Sequence, residues 1–269
     1  MSGHNKWSKI KNKKGNEDAR RGKIFTKHAR NITVAARQGG DNPDYNPALK
    51  QAIDKAKADN MPNDNIDRAI KKATGEGAGD NFQRVIYEGY GPAGVAVIVD
   101  CLTDNVQRTA PDVRHAFDKN GGNLGTDGSV MFMFDHKGEI LVNNKDKDFD
   151  EFMMDALEAG ADDVIEEDEF FEAITSVEAF NEAVAKLEES GYKIERSEIS
   201  YIPQNEVEVS SEHHPSLTKL IDTLEDNDDV QEVYTNWDEP SEEEWWLLTL
   251  IESPFRFLVL MYIGMPYLL

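Results

Sequence analysis

The residues best suited to chemistry are cations gathered at one end of the chain. Lys6, Lys9, Lys11, Lys13 and Lys14 surround a single aromatic, Trp7, and Arg20, Arg21, Lys23, Lys27, Arg30 and Arg37 follow them. Against these eleven stand only Glu17 and Asp18 in the first 37 residues, a local net of +9. Ammonium and guanidinium groups in such a run neutralise phosphates and release condensed counterions. The bland reading of any charge run is a solvated surface. This run is unbalanced in sign and continues from a helix into an arm, which points to a polyanion. Trp7 has two open roles, stacking on a base or packing against the neighbouring helices.

These cations need elements to position them. Residues 1–18 have no apolar period and read as a mobile arm. From about Arg20 to Gln38 the pattern turns helical, with Phe25, Ala29, Ile32 and Ala36 inside an arc of roughly 60°. Arg20, Lys23, Lys27, Arg30 and Arg37 occupy an arc of roughly 100° on the other side. One face packs, and the other is expected to face solvent or phosphate. Gly39-Gly40 ends this helix, and Asn46-Pro47 caps and opens a second whose stripe is Leu49, Ala52, Ile53 and Ala56. A third follows Met61-Pro62 with Ile66, Ala69, Ile70 and Ala73, and stops at Gly75. Three short helices with small apolar faces make a three-helix unit. Gly75–Asp80 reads as a flexible linker.

Gly121–Ser129 is glycine-rich, but it leaves a helix and enters a strand and has no P-loop lysine. It reads as a structural turn or as a surface loop touching RNA or protein. A nucleotide-dependent enzyme would need its site there. Asn144, Asp146, Asp148 and Asp150 alternate like a calcium loop, but Phe149 stands at the sixth position and Asp155 at the twelfth, so the pattern fails. Asp162, Asp163 and Glu166–Glu169 read as a solvated acidic face, and His213-His214 lacks the partners of a metal site. Cys101, the single cysteine, reads as a buried small residue. It leaves no disulfide framework and fits a reducing compartment. No catalytic constellation assembles. The expectation is a protein with no enzymatic activity, no cofactor and no metal.

The whole chain of 269 residues carries a net charge of −23, which alone argues against a polyanionic partner. Residues 1–80 hold 17 Lys plus Arg and 10 Asp plus Glu, a net of +7, while residues 81–269 hold 12 and 42, a net of −30. Net charge is therefore the wrong scale, and the chain reads as a cationic module on an anionic body. The start, MSGHNKW, is polar and cationic and is not a secretory signal, so the expected location is cytoplasmic.

In the body, Val95–Cys101 is a buried strand, and Asp104 can cap a helix to about Lys119, with Pro111 delaying its start to near Ala110. Ser129–Phe134 and Gly138–Val142 are strands. The order helix Phe149–Ala159, strands Asp163–Glu167 and Phe170–Thr175, helix Val177–Glu189 and strand Lys193–Tyr201 then completes β-α-β-β-α-β over residues 138–201, the ferredoxin-like order. Glu206–Val209, a helix Ser216–Leu224 and a strand Val230–Thr235 supply a further β-α-β after it, and Arg84–Tyr90 an extra strand. The expected fold is α+β: an N-terminal three-helix domain and two ferredoxin-like α/β domains, one inserted in the other. The expected boundaries are 1–79 for the basic arm and helices, 80–134 plus 205–238 for the discontinuous domain, 135–204 for the insert, and 239–269 for an atypical tail. The bland alternative is α+β lobes in simple series.

Three long blocks carry a resemblance: GHNKWSKIKNKKGNEDARRGKIFTKHARNI from Gly3, IYEGYGPAGVAVIVDCLTDN from Ile86, and RHAFDKNGGNLGTDGSVMFMF from Arg114. From about Gly3 to Trp237 the chain resembles the YebC/PmpR family. The resemblance implies three domains, a cytosolic location and a DNA-binding transcriptional regulator. It also implies a second class of activity, since the family includes a mitochondrial translational activator and members associated with ribosomes that relieve stalling at proline-rich stretches. The expected function is non-enzymatic, nucleic-acid-binding regulation of gene expression, in which Lys6, Trp7, Lys9, Lys11, Lys13, Lys14, Arg20, Arg21, Lys23, Lys27, Arg30 and Arg37 meet nucleic acid, DNA or ribosomal RNA. The alternative is translation regulation by a ribosome-associated factor that binds rRNA or tRNA.

After Asp238 the resemblance fades. An acidic stretch gives way to Trp245–Leu269, whose uninterrupted apolar part, Phe257–Leu269, is shorter than the roughly 20 residues that span a bilayer. The tail has three readings: a reading-frame or gene-boundary artefact, an interfacial or tail-type membrane anchor, or a segment packed on the body.

Overall fold

In the computed structural model, the described residues are 17–74, 82–145, 147–167 and 169–240. The arm, the linker and the apolar tail lie outside them. Helix α1 runs from Glu17 to Gly39. Its stripe of Phe25, Ala29, Ile32 and Ala36 packs against α2 (Pro47–Ala58) and α3 (Asn63–Thr74), which contribute Leu49, Ile53, Ala56, Ile66, Ala69 and Ala73. Alanines at these contacts let the helices approach closely. The α1–α2 turn depends on Asn46. Its side chain caps α2 by accepting from the Leu49 amide (3.0 Å), and its Nδ2 donates to the carbonyls of Ala35 and Gly40 (both 2.8 Å). Gly40 turns the chain at φ +90°, a conformation that favours glycine.

Three of the strands that follow and the last strand of the chain form one sheet in the order β3-β1-β2-β8, all antiparallel. They are β1 (Gln83–Tyr90), β2 (Ala96–Thr103), β3 (Asn123–Leu124) and β8 (Val230–Thr235). All eight residues of β2 are buried, as its β-branched run predicts. Helices α4 (Val106–Lys119) and α7 (His214–Glu225) belong to the same domain. Spatially this is the ferredoxin-like order, reached by a permuted path. The third position in the sheet is filled by β1, not by residues 206–209. Only Val207 of that expected strand bridges, to Trp237. β1 wins the place because it pairs with β2 along all eight residues.

Two further expectations are corrected. Ser129–Phe134 is not a strand. Met131–Met133 forms a 3-10 turn, and Phe134 opens the long strand β4 (Phe134–Asn143) of the second sheet. The amides of Val130 and Met131 are held by a carboxylate, as described below, so they cannot enter a ladder. Helix α4 begins at Val106, ahead of Pro111, because Asn105 and not Asp104 caps it by accepting from the Arg108 amide (3.1 Å). The amide that proline lacks leaves only the carbonyl of Gln107, an exposed position, without its helical donor.

The second sheet is the insert, in the order β5-β6-β4-β7. Its elements run β4, α5 (Phe149–Ala159), β5 (Ala161–Glu166), β6 (Phe170–Thr175), α6 (Phe180–Glu189) and β7 (Ile194–Pro203). This is the ferredoxin-like βαββαβ arrangement, and the α+β fold class is as expected. Asp148 caps α5 and Gly160 ends it at φ +108°. The core is aromatic: Phe152 stacks on Phe171 and meets Tyr192 edge-on, each at 5.1 Å between ring centres. By internal contacts the described chain divides into two compact units, residues 17–133 with 212–236, and residues 134–211 with 237–240. Among the described residues no helix is long and apolar enough to cross a membrane.

Gly138 of β4 leaves no room for a side chain, because a Cβ there would run into the Phe180 ring and the Thr175 hydroxyl. Gly138→Ala should therefore destabilise the protein by about 1–3 kcal/mol, read as a lowered denaturation midpoint in urea.

Candidate nucleic-acid interface

The twelve residues expected to meet nucleic acid fall into three groups. Lys6, Trp7, Lys9, Lys11, Lys13 and Lys14 lie outside the described residues. Arg20 lies in the first turn of α1, Arg21 is exposed beside it, and Arg37 is half-buried in the last turn. Lys23, Lys27 and Arg30 differ from expectation: they engage the acidic corner between α7 and β8. Three of the five residues on the face expected to meet phosphates meet carboxylates and carbonyls of the same chain.

The cause is local charge and helix polarity. Helix α7 ends at Glu225, where its last carbonyls lack intrahelical donors and carry partial negative charge. Lys27 Nζ donates to the Glu225 carbonyl (2.9 Å), and Lys23 Nζ donates to the Asp226 carboxylate (2.9 Å) and carbonyl (3.3 Å). One helical turn along, Arg30 Nη1 reaches the Asp228 carbonyl (2.7 Å) and Asp229 Oδ1 (2.7 Å), and its guanidinium lies 5.5 Å from the centre of the Phe82 ring. Asn31 Nδ2 donates to Gln231 Oε1 (3.0 Å), and Lys55 of α2 pairs with Glu232 (3.3 Å).

Asp229 is the centre of this seat. Its side chain is 4% exposed. Oδ2 accepts from Arg108 Nη2 (2.7 Å), Thr109 Oγ1 (2.8 Å) and Thr103 Oγ1 (3.2 Å), while Oδ1 takes Arg30. Arg108 also holds Asp104 (2.9 Å). Burial by itself would raise the Asp229 carboxyl, but its donors, led by Arg108, Thr109 and Arg30, hold it below the ordinary carboxylate range. Sequence reasoning missed Asp229 because it stands in an acidic run, Glu225 to Asp229, that reads as solvated.

Glu88 is the second missed residue. In β1 it shares a face with Ile86 and Tyr90, so an acid inside an apolar alternation was the available signal. Its buried carboxylate accepts from the amides of Gly128 (2.6 Å), Val130 (2.8 Å) and Met131 (2.7 Å). Burial opposes ionisation, and the three amides outweigh it, so the group lies below the usual range. These amides of the glycine-rich segment thus already hold an anion belonging to the protein. The same clamp holds the turn that presents Phe132, which is 65% exposed. Cys101 is buried, and burial with the nearby Asp100 and Asp229 pushes its thiol up to about 12, which keeps it protonated and unreactive at neutral pH. Asp148 serves as a helix cap, accepting from the Glu151 amide at 3.1 Å. His214 is buried, and His213 pairs with Glu212 at 3.4 Å.

Comparison with known proteins gives a consistent result. The family model described as the TACO1/YebC protein N-terminal domain matches residues 5–76, and that of the TACO1/YebC second and third domain matches residues 82–237. A "probable transcriptional regulatory protein" from Finegoldia magna is 60% identical over 239 residues, covering 88% of this chain and 99% of the relative. One of the same description from Geobacter sulfurreducens is 54% identical, covering 90% and 98%. Among solved structures, a conserved hypothetical protein from Aquifex aeolicus matches with a TM-score of 0.75 and 46% identity, covering 84% of this chain and 93% of that one.

Two outcomes follow for the carboxylates. Asp229→Ala should cost about 3 kcal/mol, since it strands two guanidinium groups, and should raise amide exchange along α1. The folded-state depression means that Asp229 contributes stability fully above its unfolded value near pH 4 and loses it as pH falls through the lower folded value. Asp229→Asn should therefore flatten the acid limb of a melting-temperature profile below about pH 4. Glu88→Gln should weaken the charge-assisted bonds and speed exchange of the Gly128, Val130 and Met131 amides by about tenfold or more. Unchanged exchange would contradict the clamp.

Proposed function

The chain belongs to the TACO1/YebC family, and from that premise we propose that it is a non-enzymatic regulator of gene expression that holds nucleic acid through its cationic N-terminal end. The observation that carries this reading is where the cationic excess of the sequence lies. Lys23, Lys27 and Arg30 are engaged inside the protein, and the sequence of residues 6–20 adds six cations against Glu17 and Asp18. A long-range field from that end captures a polyanion, and the anionic body restricts binding to one side. The protein itself makes and breaks no bond. Placement of the bound strand, not chemistry on it, is the regulatory act.

The target has two forms. The names of the relatives favour DNA, as for a transcription regulator. Two features of this chain favour RNA on the ribosome. Three of the five basic residues on the face of α1, which a duplex reader would lay along a groove, are engaged by protein. The net of −30 over residues 81–269 repels flanking duplex yet suits basic ribosomal proteins. Crosslinking in cells with sequencing of both bound RNA and bound DNA separates the two: ribosomal RNA fragments support the second, promoter fragments the first.

The arm has its own test. Replacing Lys9, Lys11, Lys13 and Lys14 by Gln should weaken binding of a duplex oligonucleotide and reduce the log–log salt slope by about 3 to 4 if each lysine holds one phosphate. An unchanged slope would contradict the arm as the contact.

A further inference from the structure

The anionic body carries one cleft that breaks its own charge rule. Between the turn Pro92–Gly94, the end of α4 and the first half of α7 lies a cleft of about 450 Å³. Lys119, Asn120, Gly121, His213, Ser216 and Lys219 line it, and no carboxylate does. That is unusual in a segment where residues 81–269 hold 42 Asp plus Glu. A groove in the helical domain shows the contrast: Lys50, Lys57 and Lys71 share it with Asp41, Asp44, Asp54 and Asp67.

The cations of the cleft also differ in their partners. In the α+β part of this unit, residues 82–133 and 212–236, the basic side chains are Arg84, Arg108, Arg114, Lys119 and Lys219. Arg84 is bound to Asp100 at 2.9 Å, and Arg108 to Asp104 and Asp229. Among the described residues Arg114, Lys119 and Lys219 form no ion pair, and two of these three line the same cleft. His213 is set against Glu212 at 3.4 Å. The Asn120 side chain is fixed, its Nδ2 donating to the Ala116 carbonyl at 2.8 Å, so the floor beside Lys119 is rigid. The backbone there is set as well: Ala93 holds φ +58° and Gly121 φ +80°. Two unpaired ammonium groups brought to one concave, carboxylate-free site make a seat for an oxyanion.

We propose that this cleft is a second phosphate seat, where Lys119 and Lys219 hold a backbone phosphate of the nucleic acid captured by the N-terminal end. It rests on the nucleic-acid reading above and adds a fixed point to it. An arm alone captures a strand without orienting it; a rigid seat on the α+β domain sets where the strand runs. Because phosphate contacts position without reading bases, the seat contributes register and not sequence preference.

The experiment uses the full chain and a duplex oligonucleotide titrated across salt concentrations. Lys119→Gln with Lys219→Gln should reduce the log–log salt slope by about 1, the share of one phosphate contact, and weaken binding equally for unrelated sequences. Arg114→Gln removes an unpaired cation of α4 that does not line the cleft, and should leave the slope unchanged. Both lysines are exposed, so the melting temperature of the double variant should match that of the parent. If the double variant keeps the parental slope while the arm variant loses its own, the seat is refuted and the functional reading stands. If the parent chain binds neither the duplex nor an RNA oligonucleotide, both fall together; if it binds RNA alone, the same variants are titrated on the RNA. An equal loss in Arg114→Gln would show a diffuse field and refute a localised seat. A mononucleotide that bound the cleft as tightly as the oligonucleotide would refute its assignment to a strand phosphate.

Discussion

A buried carboxylate, that of Asp229, sets the arrangement of the N-terminal helix and the α+β domain beside it. An ionised group 4% exposed persists only if donors replace its water. Four side chains supply them: Arg30 from α1, Arg108 and Thr109 from α4, and Thr103 from the end of β2. One anion thus ties α1 to the β2–α4 corner, both distant from Asp229 in sequence. Once Arg30 is fixed there, the helical repeat carries Lys27 and Lys23 to the C-terminal carbonyls of α7, where positive charge is favoured by helix polarity. The basic face of α1 is a docking face because it meets a helix C-terminus and an acidic turn.

Glu88 applies the same physics to a loop. The acid sits in a strand, and its donors are three backbone amides of the segment that follows β3. Those amides would otherwise form a strand or an anion-binding concavity. Held by Glu88, they do neither, and the segment becomes a turn that presents Phe132. The acidic excess of this chain is therefore not all solvated surface. Two of its carboxylates are internal ligands for cationic or amide donors, and they decide which positive groups remain for a partner.

Much of this architecture was legible in the sequence because it rests on local rules. The apolar spacing of α1 to α3, the Asn46-Pro47 start and the buried run of β2 all follow from periodicity and capping. The βαββαβ order of the insert was legible as well, with ends displaced by a few residues. What was not legible depends on long-range pairing. Nothing local makes Gln83–Tyr90 the third strand of a permuted sheet in place of residues 206–209. The SVMFMF run has strand composition, and only Glu88, some forty residues earlier, removes its amides from a ladder. Asp229 looked like its solvated neighbours, so the occupation of Lys23, Lys27 and Arg30 was hidden with it. The charge imbalance at one end was legible, and the engagement of Lys23, Lys27 and Arg30 by internal partners was not.

The proposed contacts of this regulator with nucleic acid begin at its N-terminal end. Ultraviolet crosslinking of the full chain to bound nucleic acid, followed by mapping of the crosslinked peptides, tests this directly. The account predicts crosslinks in residues 1–21, with any further site confined to the Lys119 and Lys219 cleft. Crosslinks concentrated in residues 134–211, with none in the first 21, would contradict it.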